Sequence, residues 1–274
     1  MSTSELPIGI FDSGIGGLTV VRQIRRALPG EDIIYLGDTA RVPYGTKAPA
    51  TVVRFACEDT QFLVDQRVKA VVVACNTASA WALSTLERRF DVPIFGVIFP
   101  GVRAALAQTR NQRIGVIATP ATIRSQAYTR GLLARNDGIH LVVRDCPLLV
   151  PLVEEGWTSG PITAAVLREY LAPLLAREID TLVLGCTHYP LLKEAIAEVA
   201  GPKVALVDSA ESCAEYVAGG LRQLGMLALD RNRPGRIQPF VTDDTKWFDQ
   251  QAGKFLGEAP APAGQVMLPI IEMR

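Results

Sequence analysis

Val71-Val-Val-Ala-Cys75-Asn76-Thr77 is echoed by Leu182-Val-Leu-Gly-Cys186-Thr187-His188. Each is a short apolar run that stops at a small residue, a cysteine and polar side chains. Such runs do not alternate in polarity, which is the pattern of a strand covered on both faces of a parallel sheet. Similar runs stand at 8–11, 33–36, 94–98, 114–118, 140–143 and 204–207. Helical patterns fill the intervals. Residues 18–28 place Val21, Ile24 and Leu28 on one face, 51–65 bring Val52, Phe55, Phe62 and Leu63 together, and 161–175 open on Pro161, suited to a first helical turn. Strands alternating with helices predict an α/β protein with mostly parallel sheets. Ligands of such sheets sit at the carboxyl ends of the strands.

A second echo precedes the first. Ile8-Gly-Ile-Phe-Asp12-Ser13 resembles Ile114-Gly-Val-Ile-Ala118-Thr119. Asp12 and Cys75 are 63 residues apart, and Thr119 and Cys186 are 67 apart. Two matched pairs at nearly matched spacing predict two similar α/β domains. Facing each other about a pseudo-twofold axis, they would point both strand-end cysteines into one cleft. The competing reading is coincidence, since apolar strands often end in small residues; the recurrence of cysteine at the same step favours the repeat. No Gly/Ser-rich linker separates the halves, and the crossing is expected near Pro100. Beyond Ser209 the pattern predicts one more helix, at 213–224, then a Pro/Ala-rich stretch at 258–264 and a terminal apolar run.

Composition narrows the function. The chain has 274 residues, 49% of them apolar and 20% charged, with 28 basic and 28 acidic side chains. A fold of this length buries about 75% of its unfolded surface, enough for a large core. A net charge of zero disfavours a nucleic-acid binder or a polybasic membrane protein. The longest apolar stretches, 69–75 and 182–186, fall far short of the ~20 residues of a membrane helix. The five cysteines, at 57, 75, 146, 186 and 213, form no CxxC pair. With no visible targeting signal, they predict reduced thiols in a cytoplasmic protein.

Three segments carry candidate chemistry. Asp12-Ser-Gly-Ile-Gly-Gly-Leu18 turns from strand to helix and exposes backbone N–H groups to an anion, although its spacing is not GxGxxG. Asp12 serves either as a cap of that turn or as a ligand contact. Gly37-Asp-Thr-Ala-Arg-Val-Pro43-Tyr44-Gly45 follows a strand and reads either as a plain loop or as backbone presented to a ligand. Cys75 and Cys186 end strands beside hydrogen-bond donors, a setting that stabilises a thiolate. From a free value of about 8.5, a modest depression makes a thiol a working base near neutral pH. Cys57 and Cys213 have the spacing of helix packing, and Cys146 precedes a proline without a clear task. His188 is placed to pair with Cys186 or with a substrate, or to sit as a hydrogen-bonded loop residue. The isolated Cys-x-His of 186–188 offers too few ligands for a zinc site.

In order along the chain, GIFDSGIGGLTV, YLGDTARVPYG, ACNTASA, TPATIRSQAY, CPLLVPLVEEG and LGCTHYPLL resemble the glutamate racemases, from about Ile8 to Ser209. FVTDDTKWFDQQAGKFLG resembles the family's final segment less closely. The resemblance implies an enzyme that interconverts L- and D-glutamate without a cofactor or metal, supplying D-glutamate for bacterial peptidoglycan, and commonly a homodimer. It also implies that the first domain takes back the tail, giving 1–98 with 209–274 and 99–208, with the active site between them.

Carried over by motif, Cys75 takes the α-proton of D-glutamate and Cys186 that of L-glutamate. Asp12, Ser13, Tyr44, Gly45, Asn76, Thr77, Thr119, Thr187 and His188 line the substrate. Asp12 assists Cys75, while His188 and Glu154 serve the Cys186 side; Glu155, adjacent, is the alternative to Glu154. The chemistry agrees, since racemisation needs a base on one face of the α-carbon and an acid on the other. Competing readings are an aspartate or other cysteine-dependent racemase, and a non-catalytic amino-acid binder.

Overall fold

The structure is a computed structural model that describes residues 3–230 and 233–271. The outermost residues of the expected first domain, 1–2 and 272–274, lie outside them. The strands are β1 (Ile8–Asp12), β2 (Ile33–Gly37), β3 (Ala70–Val73), β4 (Ile94–Gly96), β5 (Arg113–Ala118), β6 (His140–Asp145), β7 (Thr181–Gly185), β8 (Ala205–Asp208), β9 (Ile237–Val241) and β10 (Gly264–Gln265). The helices are α1 (Leu18–Ala27), α2 (Pro49–Asp65), α3 (Asn76–Arg89), α4 (Ile98–Gln108), α5 (Pro120–Arg124), α6 (Ala127–Leu133), α7 (Leu149–Glu154), α8 (Pro161–Leu175), α9 (Lys193–Ala200), α10 (Ser209–Gln223) and α11 (Thr245–Leu256).

The strands form two sheets, ordered β10-β9-β2-β1-β3-β4 and β6-β5-β7-β8. Every pairing in both is parallel. The sequence echo is therefore a topological one: β2-β1-β3-β4 and β6-β5-β7-β8 are the same arrangement. In each, the lead strand has its successor on one side and the cysteine strand on the other. That reversal leaves a crevice at the carboxyl ends of β1 and β3, and another at those of β5 and β7.

Burial follows the apolar runs. β1, β2, β3 and β7 are buried throughout, and β5 is buried except at its first residue. β6 departs from the expected buried strand. It is the edge of its sheet with a neighbour on one side only, and Val143 remains 38% exposed. Pro100, expected at the crossing, lies inside α4, because the strand before it stops at Gly96. α10 starts at Ser209, earlier than its periodicity indicates, because the Asp208 side chain caps it by accepting from Ala210 N at 2.8 Å. The tail adds β9, β10 and α11, which the sequence patterns did not single out. β9 pairs with β2 from Ile33↔Ile237 to Gly37↔Val241, and Asp244 caps α11. Among the described residues no helix is long and apolar enough to cross a membrane.

Candidate active site

Cys75 follows β3 and is the N-cap of α3, while Cys186 follows β7. Both thiols are only 6% exposed, and both line one cavity of about 40 Å³. Ser13, Tyr44, Gly45, Asn76, Thr77, Thr119, Glu154, Thr187 and His188 line it too. Asp12 stands behind this lining, fully buried. Its Oδ2 accepts from Gly14 N at 3.0 Å and its Oδ1 from the Thr187 hydroxyl at 3.4 Å. Burial pushes the Asp12 carboxyl up, and the charge of His188 and the backbone donors pull against it.

The two cysteines differ in surroundings. Cys75 Sγ lies 3.6 Å from Ser13 Oγ. Burial and then the nearby Asp12 push its thiol up to about 12, against donors from Ala78 N–H and Ser13. The depressed thiol expected at this position is thus not found: burial and the Asp12 charge both penalise a thiolate and outweigh the donors. Cys186 Sγ faces His188 Nδ1 at 3.9 Å, and His188 Nε2 faces Glu154 Oε1 at 3.1 Å. Burial would lower the His188 value, but Cys186 and Glu154 raise it to about 10, so the ring is an imidazolium near neutral pH. Between the adjacent acids, Glu154 is the one that meets His188; no contact between Glu155 and the ring is found.

Two expected substrate contacts have their side chains engaged elsewhere. The Tyr44 hydroxyl turns away to Asp38 and Asp59. The Asn76 amide accepts from the Tyr128 hydroxyl at 2.8 Å and donates to Ser209 Oγ at 3.4 Å. Asn76 also opens α3, whose N-terminal N–H groups favour an anion.

Other residues come together that the motifs did not single out. Thr122 closes a triangle of hydroxyls with Thr77 and Thr119, every side 2.9–3.0 Å. It lies one turn after Thr119, a spacing that could have flagged it. Val42 and Val150 form an apolar wall. Phe255 of α11 sets its ring against His188 at 5.5 Å and 83°, a contact between distant segments with no local signal. Gly16 is required by close approach, since a Cβ there would lie 2.4 Å from Thr187 Oγ1 and 2.5 Å from the His188 ring. Among the described residues no three His, Cys, Asp or Glu side chains are grouped to hold a metal ion.

Two parallel sheets of the same strand order, each presenting a strand-end cysteine to one buried space, define a pseudo-symmetric α/β protein with its candidate site between the sheets. The sequence profile of the Asp/Glu/hydantoin racemases matches residues 8–217. The chain belongs to the Asp/Glu/hydantoin racemase family and is an amino-acid racemase. Within that family the likeness is to glutamate racemases. The glutamate racemase of Geobacter metallireducens is 51% identical over 95% of this chain and 96% of its own. The crystal structure of a glutamate racemase isoform of Bacillus anthracis superposes with a TM-score of 0.93 at 38% identity, covering 98% of this chain and 100% of that one. The glutamate racemase of Francisella tularensis, solved in complex with D-glutamate, gives a TM-score of 0.88 at 41% identity over 96% and 98% of the two chains.

Proposed function

We propose that this enzyme interconverts L- and D-glutamate by a two-cysteine mechanism, supplying D-glutamate for peptidoglycan synthesis. The observation that carries the reading is Cys75 and Cys186 bordering one cavity from two topologically equivalent sheets. Substrate specificity rests on the relatives, one of which was solved with D-glutamate.

In the L-to-D direction, Cys186 takes the α-proton on one face and the Cys75 thiol donates a proton on the other. The resting asymmetry suits this direction. Cys75 is held as a thiol, and Cys186 Sγ faces the His188 imidazolium at 3.9 Å. In the reverse direction the roles exchange. The substrate ammonium, beside Asp12, offsets the negative charge that keeps the Cys75 proton bound. The α3 N-terminus and the hydroxyls of Thr77, Thr119 and Thr187 hold carboxylate groups as charge develops at Cα. His188 and Glu154 support Cys186.

We place the domain division at 98/99 and 208/209, where α4 and α10 cross between the sheets. The likeness to the glutamate racemases also supports a cytoplasmic homodimer, which sedimentation tests.

The decisive experiment is turnover of each enantiomer in deuterium oxide, with no pyridoxal phosphate or metal added. Solvent deuterium should enter Cα as racemisation proceeds. Cys75→Ser and Cys186→Ser should each lower kcat by about 10³-fold or more while glutamate still binds. Interconversion without label, or near-normal turnover by either variant, would sink the scheme.

A further inference from the structure

Behind residues 42–45 of the cavity wall, three carboxylates surround one guanidinium. Arg41 Nε donates to Asp38 Oδ2 at 2.6 Å, Nη2 donates to Asp59 Oδ1 at 3.2 Å, and Nη1 donates to Glu58. The guanidinium also lies 4.0 Å from the centre of the Phe55 ring. Asp38 and Asp59 are fully buried. Thr242, just after β9, donates to Asp38 Oδ1 at 3.0 Å, so the tail reaches the same cluster. A planar fork satisfying several acceptors at once is a task for arginine and not for lysine.

The Tyr44 hydroxyl completes the cluster. It donates to Asp38, and its oxygen lies 2.9 Å from Asp59 Oδ2. A phenol has one proton to give. With that proton on Asp38, the second contact closes with a proton carried by Asp59. Burial and the neighbouring Asp38 push the Asp59 carboxyl well above the usual range, against the pull of Arg41, which favours that protonated form. The cluster thus anchors the turn Tyr44–Thr46 from behind. In front, the turn meets the other half of the molecule: a Cβ on Gly45 would lie 2.8 Å from Thr119.

We propose that Arg41, with Asp38, Glu58 and Asp59, is a positioning clamp that sets Tyr44 and Gly45 against Thr119 and so governs how tightly substrate is held. The inference rests on the cavity being the glutamate site. None of the four lines the cavity, so the clamp acts through the wall and leaves proton transfer at the cysteines to other groups.

Steady-state kinetics in both directions test it. Arg41→Ala should raise KM for D- and L-glutamate together by about tenfold or more, with kcat within about threefold of the parent. The enantiomers are equal in energy in water, so kcat/KM must fall by the same factor in both directions. Arg41→Lys should also raise KM, because it keeps the charge and loses the fork. Asp59→Asn, a neutral hydrogen-bonding replacement, should stay within about threefold of the parent KM, while Asp59→Ala follows Arg41→Ala. Should Arg41→Ala fail to fold, Arg41→Lys and Tyr44→Phe carry the same test. A folded Arg41 variant with unchanged KM, or one that loses kcat alone, overturns the clamp. A parent protein that does not racemise glutamate overturns the functional reading instead.

Discussion

At the scale of single residues, the site is organised by where protons rest. Cys75 keeps its proton because burial and Asp12 both oppose a thiolate, whereas Cys186 faces a ring that carries one. Glu154 helps hold that proton on His188 from the far side. Replacing it by glutamine removes one of the two groups that raise His188 against the opposing effect of burial. The His188 titration, followed by NMR, should therefore move below about 10, and the alkaline limb of kcat/KM should move to lower pH with it. Because Glu154 acts through another group, kcat should fall by about tenfold to a hundredfold, less than the ~10² to 10⁴ of a residue that itself transfers the proton. An unmoved titration would remove Glu154 from the acid–base system.

At the scale of elements, each cysteine is placed by a strand end and held by a neighbouring turn. The turn before α1 does this for the Cys186 side. Gly16 packs against Thr187 and His188, and Thr19 Oγ1 donates to the carbonyl of Thr187 at 2.9 Å. Gly16→Ala must push the Thr187–His188 loop away from its place, since the contacts are with side chains wedged in the cleft. Urea unfolding should show a loss of about 1–3 kcal/mol, the usual cost of overpacking. Racemisation should drop about a hundredfold, because a displacement near 1 Å costs that much in a positioned site. A variant that is destabilised yet fully active would show that the close approach serves packing alone. α11 contributes in the same way, with Phe255 against His188 and Phe248 stacked near Tyr35, whose hydroxyl donates to Gly14 O at 2.7 Å. A tail helix thus supports the turn that supports the site.

At the scale of the whole molecule, the cavity lies between the two sheets, and the Thr77, Thr119 and Thr122 hydroxyls bond across the seam beside it. Alkylation of Cys75 and Cys186 by iodoacetamide should be slowed about tenfold or more by saturating glutamate, which occupies the cavity that both thiols line. Mass spectrometry of the modified thiols reads this directly; unprotected labelling would mean that glutamate does not bind beside these thiols.

Much of this was legible in the chain itself. Eight of the strands, the parallel layering and the repeated cysteine step follow from local pattern, because apolar runs and turn residues are properties of neighbours in sequence, while most residues round the cleft came from the resemblance in motif order to the glutamate racemases. The exposed edge of β6 was not legible, because edge or centre depends on which strands lie beside it. Nor were β9 and α11, whose reason to form is a partner some 200 residues away in β2 and α1. The charge states followed the same division. The motifs shared with the glutamate racemases pointed to Cys75, Cys186, His188 and Glu154 as candidates, but only tertiary packing decided that Cys75 rests protonated, that His188 is cationic, and that Tyr44 and Asn76 engage their polar ends elsewhere. Desolvation and long-range contacts set these states, and both exist only once the distant parts of the chain have come together.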